Sequence, residues 1–292
     1  MDQTELIRKV RAIELKTRRL VNTYFSGEYH SAFKGQGMEF SELREYQYGD
    51  DVRTIDWNVT AKTDTPFIKK FAEERELNVM LVVDTSASGS FGSSTILRKQ
   101  YIIEMAAMIV FSAINNNDKV GLLMFGQDVQ KIIPPAKGRK HGFLIIRELL
   151  ANEFKDQGTN LNQPLEYLNH LLKRKTTLFV LSDFISDSDF GKVYKITARK
   201  HDLVPVFIRD LLEEKMPEVG LINFKDLESG KEFMVNTSNP NFQSYFREQI
   251  SSKNKNLDQL FKSSKTDAIN ISLQKSYVEP FMHYFKKREF KR

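Results

Sequence analysis

The pattern of apolar and polar positions is clearest between residues 77 and 210, where continuous apolar runs alternate with amphipathic segments. The strongest apolar runs are 77–84, 120–125, 177–183 and 203–208. Strands that are apolar at every position are buried on both faces, which is typical of a parallel sheet covered by helices. The intervening segments predict helices at 97–115, 143–151, 161–172 and 190–200. This alternation predicts an α/β fold with a doubly wound, mostly parallel sheet.

The flanking segments have different patterns. Residues 2–25 predict an amphipathic helix, and residues 26–76 are typical of short strands and turns. After residue 210 the sequence predicts a β-hairpin over 222–236, followed by helices over 242–262 and 277–290. We therefore expect three segments, with the two outer ones packing together as a smaller mixed β/α unit: 1–76, 77–210 and 211–292. Within the middle segment, two prolines confine the run 130–135 to an edge strand.

The amino-acid composition limits the kinds of site that the chain can form. The chain has 292 residues and no Cys, which excludes disulfides, thiolate metal sites and cysteine nucleophiles. Its net charge of +6 comes from residues 251–292, which carry ten Lys and Arg against four Asp and Glu. The balanced charge of residues 1–250 argues against nucleic acid as a partner. The basic stretch 286–292 favours a solvated helix end, with a phosphate or anionic-membrane contact as the alternative.

The apolar runs are too short for a membrane span. The longest, residues 105–114, is about ten residues, whereas a transmembrane helix needs about 20. The first residues lack the features of a signal peptide. We expect a cytoplasmic protein, with recruitment to a membrane protein left open.

Polar side chains follow the predicted strands where ligands of open α/β sheets bind. The pattern Asp-x-Ser-x-Ser, formed by Asp84, Ser86 and Ser88, follows the first strand; Thr159 precedes a helix, and Asp183 follows the strand 177–182. Carboxylate and hydroxyl oxygens are hard donors that suit Mg²⁺, with Mn²⁺ or Ca²⁺ as alternative ions. The competing interpretation is that these residues only cap helices and form turns.

These five residues resemble the metal-ion-dependent adhesion site of von Willebrand factor A domains in order, spacing and strand position. The resemblance implies that Asp84, both serines and Thr159 surround a metal and that Asp183 acts through water. It also implies an open coordination position for a carboxylate of the partner protein. Gly89 and Asn160, which adjoin these residues, are candidate partner contacts. Gly89 departs from the Met found in many members.

A wider resemblance includes the block 35–76, above all Leu43-Arg44-x-Tyr46 and the run from Gly49 to Trp57. This block is similar to a bacterial MoxR-associated family, the domain of unknown function numbered fifty-eight. The resemblance implies as partners a MoxR-type AAA+ ATPase and other von Willebrand factor A proteins encoded nearby.

Three residues of this block, Asp50, Asp51 and Arg53, are candidate partner contacts. The alternative is structural. The two aspartates then cap a turn, Arg53 pairs with one of them, and Trp57 anchors a small core.

Enzyme motifs are missing from the sequence. It contains no Gly-x4-Gly-Lys-Ser/Thr loop, no Gly-x-Ser-x-Gly and no His-Glu-x-x-His. A phosphohydrolase built on Asp84 needs a second Asp at the position of Ser86. We therefore expect a non-catalytic, metal-dependent protein-binding module, acting as an adaptor or chaperone-like partner of the ATPase. The alternatives are a divalent-metal-dependent phosphohydrolase and an adaptor that uses the basic C-terminus at anionic membrane or nucleic-acid surfaces.

Overall fold

The computed structural model describes residues 3–21, 23, 29, 32, 39–63, 65–72, 76–90, 97–154, 158–186, 188–225 and 232–290. Its helices are α1 (Gln3–Leu20), α2 (Trp57–Thr63), α3 (Arg98–Asn115), α4 (Arg139–Ala151), α5 (Asn162–Leu171), α6 (Gly191–Lys200), α7 (Leu211–Glu214), α8 (Pro240–Ser263) and α9 (Val278–Phe290). Its strands are β1 (Glu39–Glu45), β2 (Phe67–Ala72), β3 (Asn78–Asp84), β4 (Lys119–Phe125), β5 (Val129–Ala136), β6 (Thr177–Ser182), β7 (Asp202–Arg209), β8 (Leu221–Lys225), β9 (Glu232–Asn236) and β10 (Ile269–Ser272). Short 3₁₀ turns occur at Val52–Thr54 and Ala87–Ser90.

The chain forms two units, one from residues 1–32 and 77–292 and the other from residues 33–76. We call them the larger and the smaller unit. This division differs from the predicted segments 1–76, 77–210 and 211–292. The N-terminal helix and the residues after 210 belong to the larger unit, together with the α/β core.

A six-stranded sheet in the order β10-β7-β6-β3-β4-β5 organises the larger unit. The strands run parallel except β5, which pairs antiparallel with β4 at the edge. Strands β3, β4, β6 and β7 are buried along nearly their whole length, as their continuous apolar sequences predict. The predicted doubly wound, mostly parallel sheet and the proline-containing edge strand are therefore confirmed.

The strand β10 extends this sheet beyond the predicted end of the core at residue 210. Its residues Ile269 and Ile271 are buried, and it pairs parallel with β7. Four residues with two buried isoleucines are too short to stand out as a strand in the sequence. The C-terminal region thus completes the core sheet.

Helices cover the sheet and join the chain termini to it. The central helix α3 is buried from Tyr101 to Ala113, as its apolar sequence predicts. Helix α1 packs against α3 and α4, where Lys16 donates to the Glu104 carboxylate at 2.7 Å. Near the C-terminus, α9 buries Phe281 and Phe285, and the Phe285 ring meets Tyr29 edge-on at 5.9 Å. These contacts explain why both ends of the chain belong to the larger unit.

The smaller unit is a two-stranded antiparallel sheet of β1 and β2 with α2 between the strands. The sequence predicts only strands and turns here, so α2 was missed. Asp56 starts this helix by accepting the amide of Asn58 at 3.0 Å. Trp57 is 65% exposed, so the expectation that it anchors a small core is wrong.

The predicted hairpin is present as β8 and β9, which form a two-stranded sheet of their own. We expected this hairpin and the segment 26–76 to share one β unit. Apart from a single bridge between Ile55 and Ile68, β1 and β2 likewise pair only with each other among the described residues, so strand pairing does not create such a unit.

Candidate metal and docking site

The site lies at the carboxyl ends of β3 and β6, which are neighbours in the sheet. Their register, with Val83 beside Leu181, brings Asp84 next to Ser182. One oxygen of the Asp84 carboxylate accepts the Ser182 hydroxyl at 2.7 Å, and the other accepts the amide of Ser86 at 3.0 Å. Asp84 is only 4% exposed, so two fixed donors hold a buried carboxylate at the sheet edge.

The two predicted serines lie together directly after Asp84. The Ser86 and Ser88 hydroxyl oxygens are 3.0 Å apart, and the Gly89 amide closes the 3₁₀ turn by donating to the Ser86 carbonyl at 3.0 Å. Phe154 packs over this turn so closely that a Cβ atom at Gly89 would lie 2.5 Å from its ring. Glycine at this position therefore follows from the close approach of Phe154.

Thr159 reaches the same edge from a separate loop. Gly158 precedes it with φ of 89°, a left-handed conformation that glycine adopts without strain. The Thr159 carbonyl accepts the Ser186 hydroxyl at 2.9 Å, which ties its loop to the loop after β6. Thr159 is 1% exposed, and its hydroxyl oxygen has no hydrogen-bond partner among the described residues.

Asp183 is held by a residue that sequence reasoning missed. Its carboxylate accepts Nη1 of Arg98 at 2.7 Å and the amide of Ile185 at 3.0 Å. The same guanidinium pairs through Nη2 with Glu213 and donates weakly to the Ser88 carbonyl at 3.3 Å. Arg98 is 1% exposed. The available signal was that a mostly apolar helix opens with basic residues, where the helix dipole disfavours positive charge.

Burial dominates the electrostatics of the site. It raises the pKa of Asp84 to about 6, and the Asp183 carboxylate adds to this rise, while hydrogen bonds from Ser86 and Ser182 oppose it. Burial also raises the pKa of Glu213, against the opposing effect of Arg98. A buried carboxylate that resists ionisation gains from a nearby cation, so this edge favours an additional positive charge.

The donor set fits a hard divalent cation. It offers two carboxylates, a pair of serine hydroxyls and the unpartnered Thr159 hydroxyl, all oxygen donors of the kind that Mg²⁺ prefers. Among the described residues no group of three or more His, Cys, Asp or Glu side chains is arranged to hold a metal. Any ion here would therefore depend on hydroxyl oxygens and water as well as carboxylates.

A cleft of about 320 Å³ opens beside Asp183, between the ends of β6 and β7 and helix α8. Apolar side chains and one lysine of α8 line it next to the site: Phe184, Phe207, Leu257 and Lys253. Phe184 adopts φ of 53°, which is uncommon for a residue other than glycine and turns the chain directly after Asp183. The cleft thus begins at the carboxylate that Arg98 holds.

Asn160 and Asp189 have local structural roles beside the site. The Asn160 side chain accepts the Asn162 amide at 3.1 Å and the Ser188 hydroxyl at 3.2 Å. Asp189 accepts the amide of Gly191 at 2.9 Å at the start of α6. Asp187 lies outside the described residues.

The candidate contacts in the smaller unit have structural partners. Asp50 receives both hydrogen bonds from Arg44, at 2.8 and 3.0 Å, and Asp51 caps its 3₁₀ turn by accepting the Arg53 amide at 3.0 Å. The residue that pairs with Asp50 is Arg44, whereas the sequence suggested Arg53 as the partner of one of the two aspartates. The Arg53 side chain is exposed. Glu73 and Glu74, part of the same sequence block, lie outside the described residues.

The basic C-terminal stretch is partly occupied by internal ion pairs. Lys287 lies 3.1 Å from the Asp267 carboxylate, and Arg288 pairs with Asp202 and donates to the Tyr284 hydroxyl at 2.8 Å. The sequence predicts a solvated helix end here, whereas these bonds hold the Arg288 side chain, which is only 21% exposed, against the protein. Among the described helices, none combines the length and apolar character needed to cross a bilayer.

Comparison with known proteins gives the family. The model of the family described as "Protein of unknown function DUF58" matches residues 42–256. The chain belongs to this family. The match confirms the resemblance noted from the block 35–76, and it contains all five predicted metal-site residues as well as Arg98 and Glu213.

The similar proteins in this comparison are described as uncharacterized. Rv1480 of Mycobacterium tuberculosis is 28% identical over 239 residues, which cover 80% of this chain and 75% of that protein. YeaD of Bacillus subtilis is 27% identical over 109 residues, covering 37% and 25% of the two chains.

Two solved structures illustrate the structural similarities. BatB from Bacteroides thetaiotaomicron has a TM-score of 0.48 at 15% identity, covering 73% of this chain and 98% of that one. The SpRpn10 VWA domain has a TM-score of 0.42 at 11% identity, covering 72% and 94%.

Proposed function

We propose that this protein is a non-catalytic protein-binding module that docks an acidic residue of its partner on a bound divalent cation, with Mg²⁺ as the preferred ion. The observation that carries the proposal is the buried Thr159 hydroxyl, which has no partner among the described residues although buried hydroxyls are normally hydrogen-bonded. A cation at this edge would satisfy that oxygen. It would also relieve the unfavourable burial of Asp84.

Each predicted site residue would have a distinct role in holding the cation. Asp84, Ser86, Ser88 and Thr159 would hold the cation, and Asp183, which Arg98 holds in place, would act through water. When bound, the cation would supply an open coordination position for a carboxylate. The Ser182 hydroxyl and the Ser86 amide keep the Asp84 carboxylate oriented, so little rearrangement is needed on binding.

The neighbouring cleft would recognise what surrounds the partner's acidic residue. Its apolar wall of Phe184, Phe207 and Leu257 suits an apolar side chain, and Lys253 suits a second acidic group. Binding would thus combine one carboxylate on the cation with flanking contacts on α8. We propose that the partner is a MoxR-type AAA+ ATPase, with other von Willebrand factor A proteins as further candidates. We propose that this binding takes place in the cytoplasm.

The test is a calorimetric titration of a MoxR-type ATPase against the full chain in Mg²⁺ and in EDTA. We expect binding in Mg²⁺ that is lost in EDTA and in the Asp84→Ala variant. The matched control is Glu289→Ala, because Glu289 is an exposed carboxylate far from the site. It lies on α9 next to Arg288, and Arg288 pairs with Asp202 at the end of β7 opposite the site. Binding of equal strength in EDTA, or in Asp84→Ala, would contradict metal-bridged docking.

A further inference from the structure

Arg98 joins the candidate metal site to a partly buried carboxylate outside it, that of Glu213. Its guanidinium contacts Asp183 at 2.7 Å and the Ser88 carbonyl at 3.3 Å on one side. On the other side it pairs with Glu213, whose second oxygen accepts the Asp210 amide at 3.0 Å as part of the capping box of α7. Arg98 therefore touches two of the five predicted metal-site residues and one residue that the sequence did not connect with them.

The position of Arg98 is unfavourable unless the surrounding carboxylates compensate for it. As the first residue of α3 it places a cation at the positive end of the helix dipole. Its Nε atom is buried and has no hydrogen-bond partner among the described residues. A buried, incompletely bonded cation at a helix N-terminus does not stabilise the helix. Helix stability therefore does not explain why a positive charge is present at this position.

The charges of this cluster add up in a simple way. Asp84, Asp183 and Glu213 bring three carboxylates, and Arg98 brings one guanidinium. The side chains of Arg98 and Asp183 are 2% and 4% exposed, and that of Glu213 is 29% exposed. With every group ionised, the cluster carries two negative charges, which one divalent cation would balance. Without Arg98 it would carry three.

We infer that Arg98 is the resident counter-cation of the metal site and sets how tightly the site holds a divalent ion. This inference rests on the proposed function, because it assumes that an ion binds beside Asp84. Arg98 neutralises part of the carboxylate charge while the ion is away and repels the ion when it arrives. Glu213 limits that repulsion by pairing with the other side of the guanidinium. Arg98 is a positioning residue and not one of the ligands.

The test measures Mn²⁺ affinity by electron paramagnetic resonance in the isolated full chain, a readout independent of any partner. Removing the like charge in Arg98→Gln should tighten binding at least about tenfold, and removing the compensating charge in Glu213→Gln should weaken it at least about tenfold. The double variant should return close to the wild-type value. Arg288→Gln is the matched control, since it removes an arginine that pairs with Asp202 at the other end of β7, and it should not change the affinity.

The outcomes separate this inference from the proposed function. If the wild-type chain binds no Mn²⁺, the proposed function fails. If the wild type binds and both single variants weaken binding, Arg98 and Glu213 merely hold the structure, and the counter-cation role is wrong while the metal site stands. If Arg98→Gln does not fold, Glu213→Gln alone decides, and an affinity equal to or tighter than wild type overturns the inference.

Discussion

The Arg98→Gln substitution gives a stability prediction whose size follows from the structure. In the metal-free protein it removes the Nη1 bond to Asp183 and the ion pair with Glu213, and it leaves Asp183, 4% exposed, without its cationic partner. Breaking a buried pair by removing one partner costs roughly 3–5 kcal/mol. Glutamine can still donate one hydrogen bond, so we expect a loss of about 3 kcal/mol in the free energy of unfolding in EDTA.

Saturating Mg²⁺ should reduce this loss. Linkage requires that a tenfold tighter affinity of the variant for the ion stabilise it by about 1.4 kcal/mol relative to wild type. The deficit should therefore shrink from about 3 to about 1.6 kcal/mol. The measurement is urea unfolding of both proteins followed by circular dichroism, in EDTA and in saturating Mg²⁺.

The control and the contrary result are both specific. Arg288→Gln also removes an arginine that pairs with a carboxylate, but Asp202 lies at the opposite end of β7, so its deficit should be the same in both buffers. A deficit of Arg98→Gln that is unchanged by Mg²⁺, or below about 1 kcal/mol in EDTA, would refute this reasoning about charge at the site.

Two further predictions concern buried polar groups. Thr159→Val should leave the free energy of unfolding of the metal-free protein unchanged or raise it by about 1 kcal/mol, because the hydroxyl it removes has no partner among the described residues. The same substitution should weaken Mg²⁺ binding about tenfold. Equal affinity of the variant and the wild type in a calorimetric titration would show that this hydroxyl is not a ligand. Burial lowers the pKa of His201 to about 4, and Lys200 adds to this effect, so His201 is neutral in the folded state where the unfolded chain is already protonated. The stability that depends on neutral His201 is complete above pH 6.5 and is lost as the pH falls toward 4. His201→Leu should therefore lose less stability than the wild type over that range, as measured by urea unfolding at each pH. Parallel curves of unfolding free energy against pH for the two proteins would mean that His201 does not titrate in this way.

The sheet was largely predictable because the sequence of each strand indicates whether its faces are buried. Strands β3 and β6 are continuously apolar through their middle positions, and an aspartate closes β3 and directly follows β6, so burial on both faces and the polar sheet edge both follow from the residues. The strand β10 was not predictable in this way. Its two isoleucines become a strand only because they pair with β7, about sixty residues earlier in the chain.

The site was predictable in part for a related reason. Asp84, Ser86 and Ser88 are neighbours in sequence, and Asp183 follows an adjacent strand, so topology alone brings them to one edge. The contact of Arg98 with Glu213 joins residues 115 positions apart, and no local pattern records it. Asp50 shows the same limit at short range, because its pairing with Arg44 depends on the fold of the loop.

Metal binding by the isolated chain tests the central claim most directly. Mg²⁺ titrated calorimetrically into the metal-free protein should bind with one ion per chain in the wild type, and Asp84→Ala should abolish this binding while Glu289→Ala retains it. A wild-type chain that takes up no Mg²⁺ at millimolar concentration, or an Asp84→Ala variant that binds as tightly as wild type, would contradict the account.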